Sequence, residues 1–242
     1  MALFSFSQHL VCPVRKYIVH FRFIEYMLIQ LHHLIPLPLR EKLEQRDSDI
    51  WNKDVQFPPG QFVKIKAPSG TGKTTLIHYL YHVRYDYAGK VLINGKLWQE
   101  YDKESLAAMR QQQVSIIFQD LRLFEQLTAM ENIELKRVML PQPYCSREKV
   151  EEMAAKLQVS HVLQQSGRTL SYGERQRIAI IRALVQPFKW LLMDEPFSHL
   201  DEENAQRAAA LIAEECRARQ AGFILTDLDI DVRFPYDVKM NL

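Results

Sequence analysis

Cysteine is scarce in this chain: Cys12, Cys145 and Cys216 stand far apart among 242 residues. No pair has the spacing of a metal site or a disulfide framework, so a reducing cytosol is the expected setting. An excess of one charge is also lacking. With 31 Lys and Arg against 29 Asp and Glu, the formal charge is +2, which offers no footprint for nucleic acid. No apolar run nears the roughly 20 residues that a helix needs to cross a bilayer, so any membrane part is expected on another chain. Internal repeats and heptads are missing too, which excludes solenoids and coiled coils. The length suffices for one α/β domain with a small subdomain.

What is present is chemistry for phosphate. The apolar stretch Phe62-Val63-Lys64-Ile65 leads into Ala67, Pro68, Ser69, Gly70, Thr71, Gly72, Lys73, Thr74 and Thr75, and then into Leu76-Ile77-His78-Tyr79-Leu80. That is the strand, glycine loop and helix order of a phosphate-binding loop. Gly70 and Gly72 let the backbone turn tightly, so successive N–H groups point at phosphate oxygens. The positive end of the helix near Lys73 adds to that field. Lys73 is placed to reach the β- and γ-phosphates, and the Thr74 hydroxyl to ligate Mg²⁺. Ala67 stands where the pattern has its first glycine, a minor departure if its φ is negative.

A second constellation says how the nucleotide is used. Ser171 and Glu174 have capping-box spacing, which predicts a helix from Ser171 through Leu184. A hydroxyl and free N–H groups at a helix tip suit an anion. A capping box alone usually marks only a helix start. The strand that follows, Lys189 to Met193, changes this by delivering Asp194 and Glu195 at its C-terminal end, where open parallel sheets bind ligands. Asp194 is expected in the Mg²⁺ shell, and Glu195 is expected to polarise the attacking water.

With these residues in place, the chain over roughly residues 28–242 resembles the nucleotide-binding domain of an ABC ATPase. Leu170-Ser-Tyr-Gly-Glu-Arg-Gln-Arg177 matches the family signature, and Leu191-Leu-Met-Asp194-Glu195-Pro196 its Walker B strand. Ser198-His-Leu-Asp201 matches the D-loop, and Ile116-Ile-Phe-Gln119-Asp120 the Q-loop. The resemblance implies an α/β fold: a P-loop NTPase core with a mostly parallel sheet, a small antiparallel β subdomain and an inserted helical subdomain at about 120–165. It also implies a homodimer or pseudo-dimer, paired head to tail around ATP. Ser171 and Gly173 of one copy would then contact the γ-phosphate bound by Lys73 of the other. Gln119 would join the metal and water shell and report to a partner, and Asp201 would cross the interface. The stretch from Gln119 through Leu127-Thr128 to Glu131-Asn132, with Glu174-Arg-Gln-Arg177, is most similar to the lipoprotein-release, macrolide-efflux and cell-division subgroup. Those are separate ATPase subunits that drive a transmembrane permease, held at the inner face of the cell membrane on the cytoplasmic side.

Three departures bear on function. Tyr172 stands where glycine is usual, which suggests pressure on the nucleotide sugar or a narrower choice of partner. Asp227 follows the strand Ala221–Thr226 where the family has its switch histidine. A carboxylate there would repel a γ-phosphate by roughly 1–4 kcal/mol at 4 Å, depending on dielectric. Either Asp227 turns away, hydrolysis is slow, or another group substitutes, with His199 the nearest by sequence. Finally, neither Trp51 nor Phe57 sits at the spacing of an adenine-stacking aromatic, so that contact is unassigned.

Strands are expected at 28–35, 62–66, 90–94, 114–118, 189–193, 221–226 and 237–242, with a hairpin turn at Asn94-Gly95. Helices are expected at 73–83, 104–110, 146–158, 171–185 and 201–218, with breaks at Pro141 and Pro143. Leu121, Leu123, Phe124 and Leu127 read as subdomain core rather than as a docking groove. Residues 1–26 are apolar and basic without the form of a signal peptide, and Met27 is expected as the biological start. Asn52-Lys53-Asp54 echoes a guanine motif but precedes the phosphate loop, which rules that reading out. Two functions remain open: an ATPase subunit favoured by Glu195, and an ATP-dependent binding module with vestigial hydrolysis favoured by Asp227.

Overall fold

The computed structural model describes residues 26–43, 46–228 and 232–242. The expected N-terminal extension, apart from Tyr26, lies outside the described residues. The chain runs β1 (Ile29–Pro36), α1 (Arg40–Leu43), β2 (Asp54–Phe57), β3 (Phe62–Lys66), α2 (Lys73–Leu80), β4 (Tyr87–Ile93), β5 (Lys96–Leu97) and α3 (Lys103–Gln112). It continues with β6 (Val114–Ile117), α4 (Ala129–Arg137), α5 (Arg147–Lys156), α6 (Tyr172–Leu184), β7 (Trp190–Asp194), α7 (Glu202–Ala218), β8 (Gly222–Asp227) and β9 (Val238–Asn241).

Two sheets result. One is parallel throughout, in the order β6-β7-β8-β3-β9. All five residues of β7 are buried, as expected of a central parallel strand covered on both faces. The second sheet is antiparallel, in the order β2-β1-β4-β5, and its β4–β5 hairpin turns at Asn94-Gly95 as expected. β2 and β5 escape a sequence reading because they are short: β2 has four residues alternating exposed and buried, and β5 has two.

Two apolar clusters cover the faces of the parallel sheet. One joins α4–α7 to residues such as Leu191, Met193, Phe223 and Leu225. The other joins the antiparallel sheet and α2 to Ile65, Leu192 and Ile224. Each fully buried Ile or Leu contributes roughly 1.5–3 kcal/mol, so alternation along β3, β7 and β8 fixes which side each helix covers. α4 was not separately expected. It starts in a full capping box, where the Thr128 hydroxyl accepts from the Glu131 N–H and Glu131 accepts from the Thr128 N–H. The expected prolines fall between α4 and α5.

The expected apolar patch divides. Leu121 is buried at 4% exposure and Leu123 packs against the helical cluster, but Phe124 is 57% exposed, contrary to its reading as core. Its backbone explains this: Asn132 Oδ1 accepts the Phe124 N–H at 2.8 Å and Asn132 Nδ2 donates to the Phe124 carbonyl at 3.0 Å. The main chain is held to α4 while the ring faces outward.

Candidate active site

The parallel register brings the ends of four strands to one edge of the sheet. The phosphate loop follows β3, Gln119 follows β6, Asp194 ends β7 with Glu195 just after it, and Asp227 ends β8. Lys73 begins α2 and is buried at 7% side-chain exposure. Its Nζ donates to the carbonyls of Ala67 at 3.1 Å and Pro68 at 3.4 Å, and lies 3.2 Å from Glu195 Oε1. Gln119 links the rest: its Oε1 accepts from Thr74 Oγ1 at 3.4 Å, and its Nε2 donates to Glu195 Oε2 at 3.3 Å. Lys73, Thr74, Gln119 and Glu195 thus form one network beside a cavity of about 250 Å³ that Ser69, Gly70 and Gly72 also line. Size does not single this cavity out. A hollow of about 650 Å³ lies between Pro59, Cys216 and Pro235, but no side chain of the network lines it.

Two features prepare the carboxylates. Asp194 is 2% exposed, and its Oδ1 accepts from Thr226 Oγ1 at 2.8 Å across the β7–β8 pair. Glu195 has φ +48°, a conformation that costs a non-glycine residue about 1–3 kcal/mol and clusters at functional sites. The N–H of Glu195 donates to the Thr226 carbonyl at 2.9 Å, which holds the strained turn at the strand end. The Thr74 hydroxyl, the Gln119 amide oxygen and the Asp194 carboxylate are hard oxygen donors of the kind Mg²⁺ takes. Among the described residues no three His, Cys, Asp or Glu gather as a metal cluster. An ion at this edge would therefore depend on phosphate oxygens as well, which is usual for Mg²⁺.

Ser171 and Gly173 lie at the tip of α6. Ser171 is the N-cap; Oε2 of Glu174 accepts from its N–H at 2.8 Å and its hydroxyl at 2.7 Å. Burial works against the Glu174 charge, yet the Ser171 bonds together with His161 outweigh it and hold its carboxyl below the usual range. The chain after Asp194 passes close by. A Cβ on Gly173 would come within 3.3 Å of the His199 carbonyl, so only glycine fits this approach without a shift. Gln176 fastens the same loop, donating to the Pro196 carbonyl at 2.6 Å and accepting the His199 N–H at 3.2 Å.

The structure places the side chains behind the departures. Tyr172 turns back onto its own chain: its ring lies 4.0 Å from that of His199, and its hydroxyl donates to the Gln119 carbonyl at 3.5 Å. His199 is thereby occupied with Tyr172. Asp227 turns away: its Oδ2 lies 3.4 Å from the buried Lys64 Nζ, and its Oδ1 accepts the Leu228 N–H at 2.7 Å. Lys64, read only as part of a strand, is the cation that this carboxylate faces. Trp51 is 3% exposed and packs beneath the phosphate loop. The contacts of Thr226, Lys64, Gln176 and Trp51 were not legible because each acts across strands or loops distant in sequence, where local pattern carries no signal.

A parallel sheet with a phosphate loop after one strand, paired carboxylates after another and an inserted helical subdomain defines a P-loop nucleoside triphosphatase. A family model described as ABC transporter matches residues 51–198. The chain belongs to that family, as its ATP-binding ATPase component. It is 33% identical to the lipoprotein-releasing system ATP-binding protein LolD of Saccharophagus degradans, over 73% of this chain and 78% of that protein. It is 32% identical to the ABC transporter ATP-binding protein YvcR of Bacillus subtilis, over 73% of this chain and 68% of that one. The fold is shared with the dimeric structure of the bacterial ABC transporter cassette MJ0796, with a TM-score of 0.72 at 24% identity over 88% of this chain and 94% of that one.

Proposed function

We propose that residues 27–242 form an ABC-type ATPase that closes as a head-to-tail dimer around ATP and energises a separate transmembrane permease at the inner face of the membrane. The network joining Lys73, Thr74, Gln119 and Glu195 is the observation that carries this reading.

In this account the N–H groups from Ser69 to Thr75 and the Lys73 ammonium bind the β- and γ-phosphates. A γ-phosphate competes with Glu195 for Lys73. Because that ion pair is largely buried, its desolvation penalty offsets much of its attraction, and exchanging one anion for another is feasible. Once released from Lys73, Glu195 accepts a proton from the attacking water, while Gln119 orients that water and the β–γ bond breaks to give ADP and phosphate. Thr74, Gln119 and Asp194 would hold Mg²⁺, which supplies charge neutralisation at the phosphates. Ser171 and Gly173 of the second copy close the site, since the α6 tip presents N–H groups and a hydroxyl at the positive end of a helix.

The surface for a permease is proposed beside the Q-loop. A cavity of about 410 Å³ is lined by Phe118, Phe124, Leu135 and Met139, with Lys136 and Arg182 at its edge. Leu135 on α4, Val138 and Met139 just after it and Phe124 just before it are exposed, which gathers apolar side chains at this groove. Arg182 connects this groove to the chemistry by donating to the carbonyls of Leu121 and Arg122, just beyond Gln119.

The second reading, an ATP-dependent binding module with vestigial hydrolysis, keeps one argument. Asp227 is turned aside, yet among the described residues no imidazole stands in its place. Phosphate release by the wild type and by Glu195→Gln, each with the membrane partner, separates the two. Release that depends on Glu195 supports the ATPase; equal background release from both supports the binding module.

A further inference from the structure

A phosphate loop works by turning its N–H groups inward, which leaves its carbonyls facing outward. Two of those carbonyls are held by side chains from the connection between β1 and β2. Trp51 Nε1 donates to the Thr71 carbonyl at 3.1 Å. Lys42 Nζ, from α1, donates to the Gly70 carbonyl at 3.2 Å. The Trp51 ring also sets the floor of the loop: a Cβ on Gly72 would lie 3.0 Å from ring Cζ2 and 3.5 Å from Leu39 Cδ1. Gly72 has φ +99°, so the left-handed backbone that suits glycine falls where the indole presses on the loop. The ring is itself aimed by a local turn, since Ser48 Oγ accepts the N–H groups of Ile50 at 3.1 Å and Trp51 at 2.9 Å.

We propose that Trp51 and Lys42 are positioning residues that clamp Gly70–Gly72 from outside and keep the phosphate-binding N–H groups turned inward before nucleotide arrives. The clamp rests on the reading of this loop as the nucleotide site. A buried indole N–H has no water to bond with, so rotating the Thr71 peptide inward would orphan both donor and acceptor. The Gly70 carbonyl is held by an exposed ammonium, so Lys42 carries the smaller share. Such pre-organisation favours any ligand with phosphates on the loop and is indifferent to the chemical step. It therefore appears as uniform binding, in KM and in ADP affinity, with kcat unchanged.

Trp51→Phe keeps a ring and removes the donor; Lys42→Met keeps the stem and removes the charge. On the full chain, the measurements are ADP and ATP affinity by calorimetry, KM, kcat and melting temperature. Trp51→Phe is expected to weaken both nucleotides roughly three- to tenfold and Lys42→Met roughly two- to threefold, the range a single hydrogen bond allows. The double variant should bind ADP more weakly than either single one, and because the two carbonyls belong to adjacent peptides the losses should couple rather than simply multiply. Lys42→Arg, which keeps a donor, should restore ADP affinity. Unchanged ADP affinity in the double variant would overturn the clamp alone. A fall in kcat and melting temperature without a rise in KM would also overturn it, by reducing Trp51 to a packing residue. Wild-type protein that bound neither ADP nor ATP would overturn the nucleotide reading itself.

Discussion

Lys73 is held by two loop carbonyls and one carboxylate, and no other ammonium reaches the same network in the described residues. Lys73→Ala should abolish ATP binding or weaken it at least a hundredfold in calorimetry, since it removes a buried charge aimed at the phosphates. His82 offers a test of stability instead. It is 4% exposed, stacked 4.9 Å from Trp98, and its pKa is pushed down from 6.5 to about 4, by burial first and Arg110 second. The unfolded chain binds that proton more tightly, so the contribution is full above about pH 6.5 and is lost as pH falls toward 4. The loss should total about 3 kcal/mol, read as a pH-dependent urea midpoint. His82→Asn, which tolerates the local φ of +55°, should flatten that slope between pH 6.5 and 4. The cysteines stay silent at this scale. Cys145 and Cys216 are buried free thiols, and burial pushes Cys216 up to about 12.

At the scale of elements, α6 and the loop that ends in Asp201 behave as one piece. Gly173 admits the His199 carbonyl, Gln176 ties Pro196, and Arg177 donates to Asn204 Oδ1 at 3.1 Å on α7. Gly173→Ala should shift the His199 carbonyl by a few tenths of an ångström at the α6 tip and lower ATP hydrolysis several-fold, with ADP affinity unchanged, as phosphate release and calorimetry would read. Much of this was legible in the sequence. The phosphate loop, the Ser171–Glu174 capping box and the Asp194-Glu195 strand end are local patterns, and local hydrogen bonding makes them fold where they are read. β3 was expected at 62–66 and stands there, because its apolar run is bounded by Gly60 and the loop. α4 and β2 were not legible. α4 has only nine residues, its buried face mixes Asn132 with Ala129, Met130 and Ile133, and Leu135 interrupts its charged outer face, so its helical period is weak. β2 owes its existence to pairing with β1. Trp51 was weighed for adenine and found unsuited. Its bond to Thr71 spans 20 residues, and no spacing rule reaches that far.

For the whole molecule, the proposed function uses three surfaces: the phosphate edge of the sheet, the α6 tip and the apolar groove by α4. Phe124→Asp should leave ATP binding and dimer closure intact while abolishing stimulation by a membrane partner, because the ring is exposed and lies outside the phosphate network. The partner-stimulated rate of phosphate release is the readout.

The central claim is that two copies share each nucleotide, and sedimentation equilibrium tests it most directly. Glu195→Gln with ATP and Mg²⁺ should sediment as a dimer, return to monomer on replacement with ADP, and fail to dimerise when Ser171→Arg is added. A Glu195→Gln protein that binds ATP and still sediments as a monomer would contradict it.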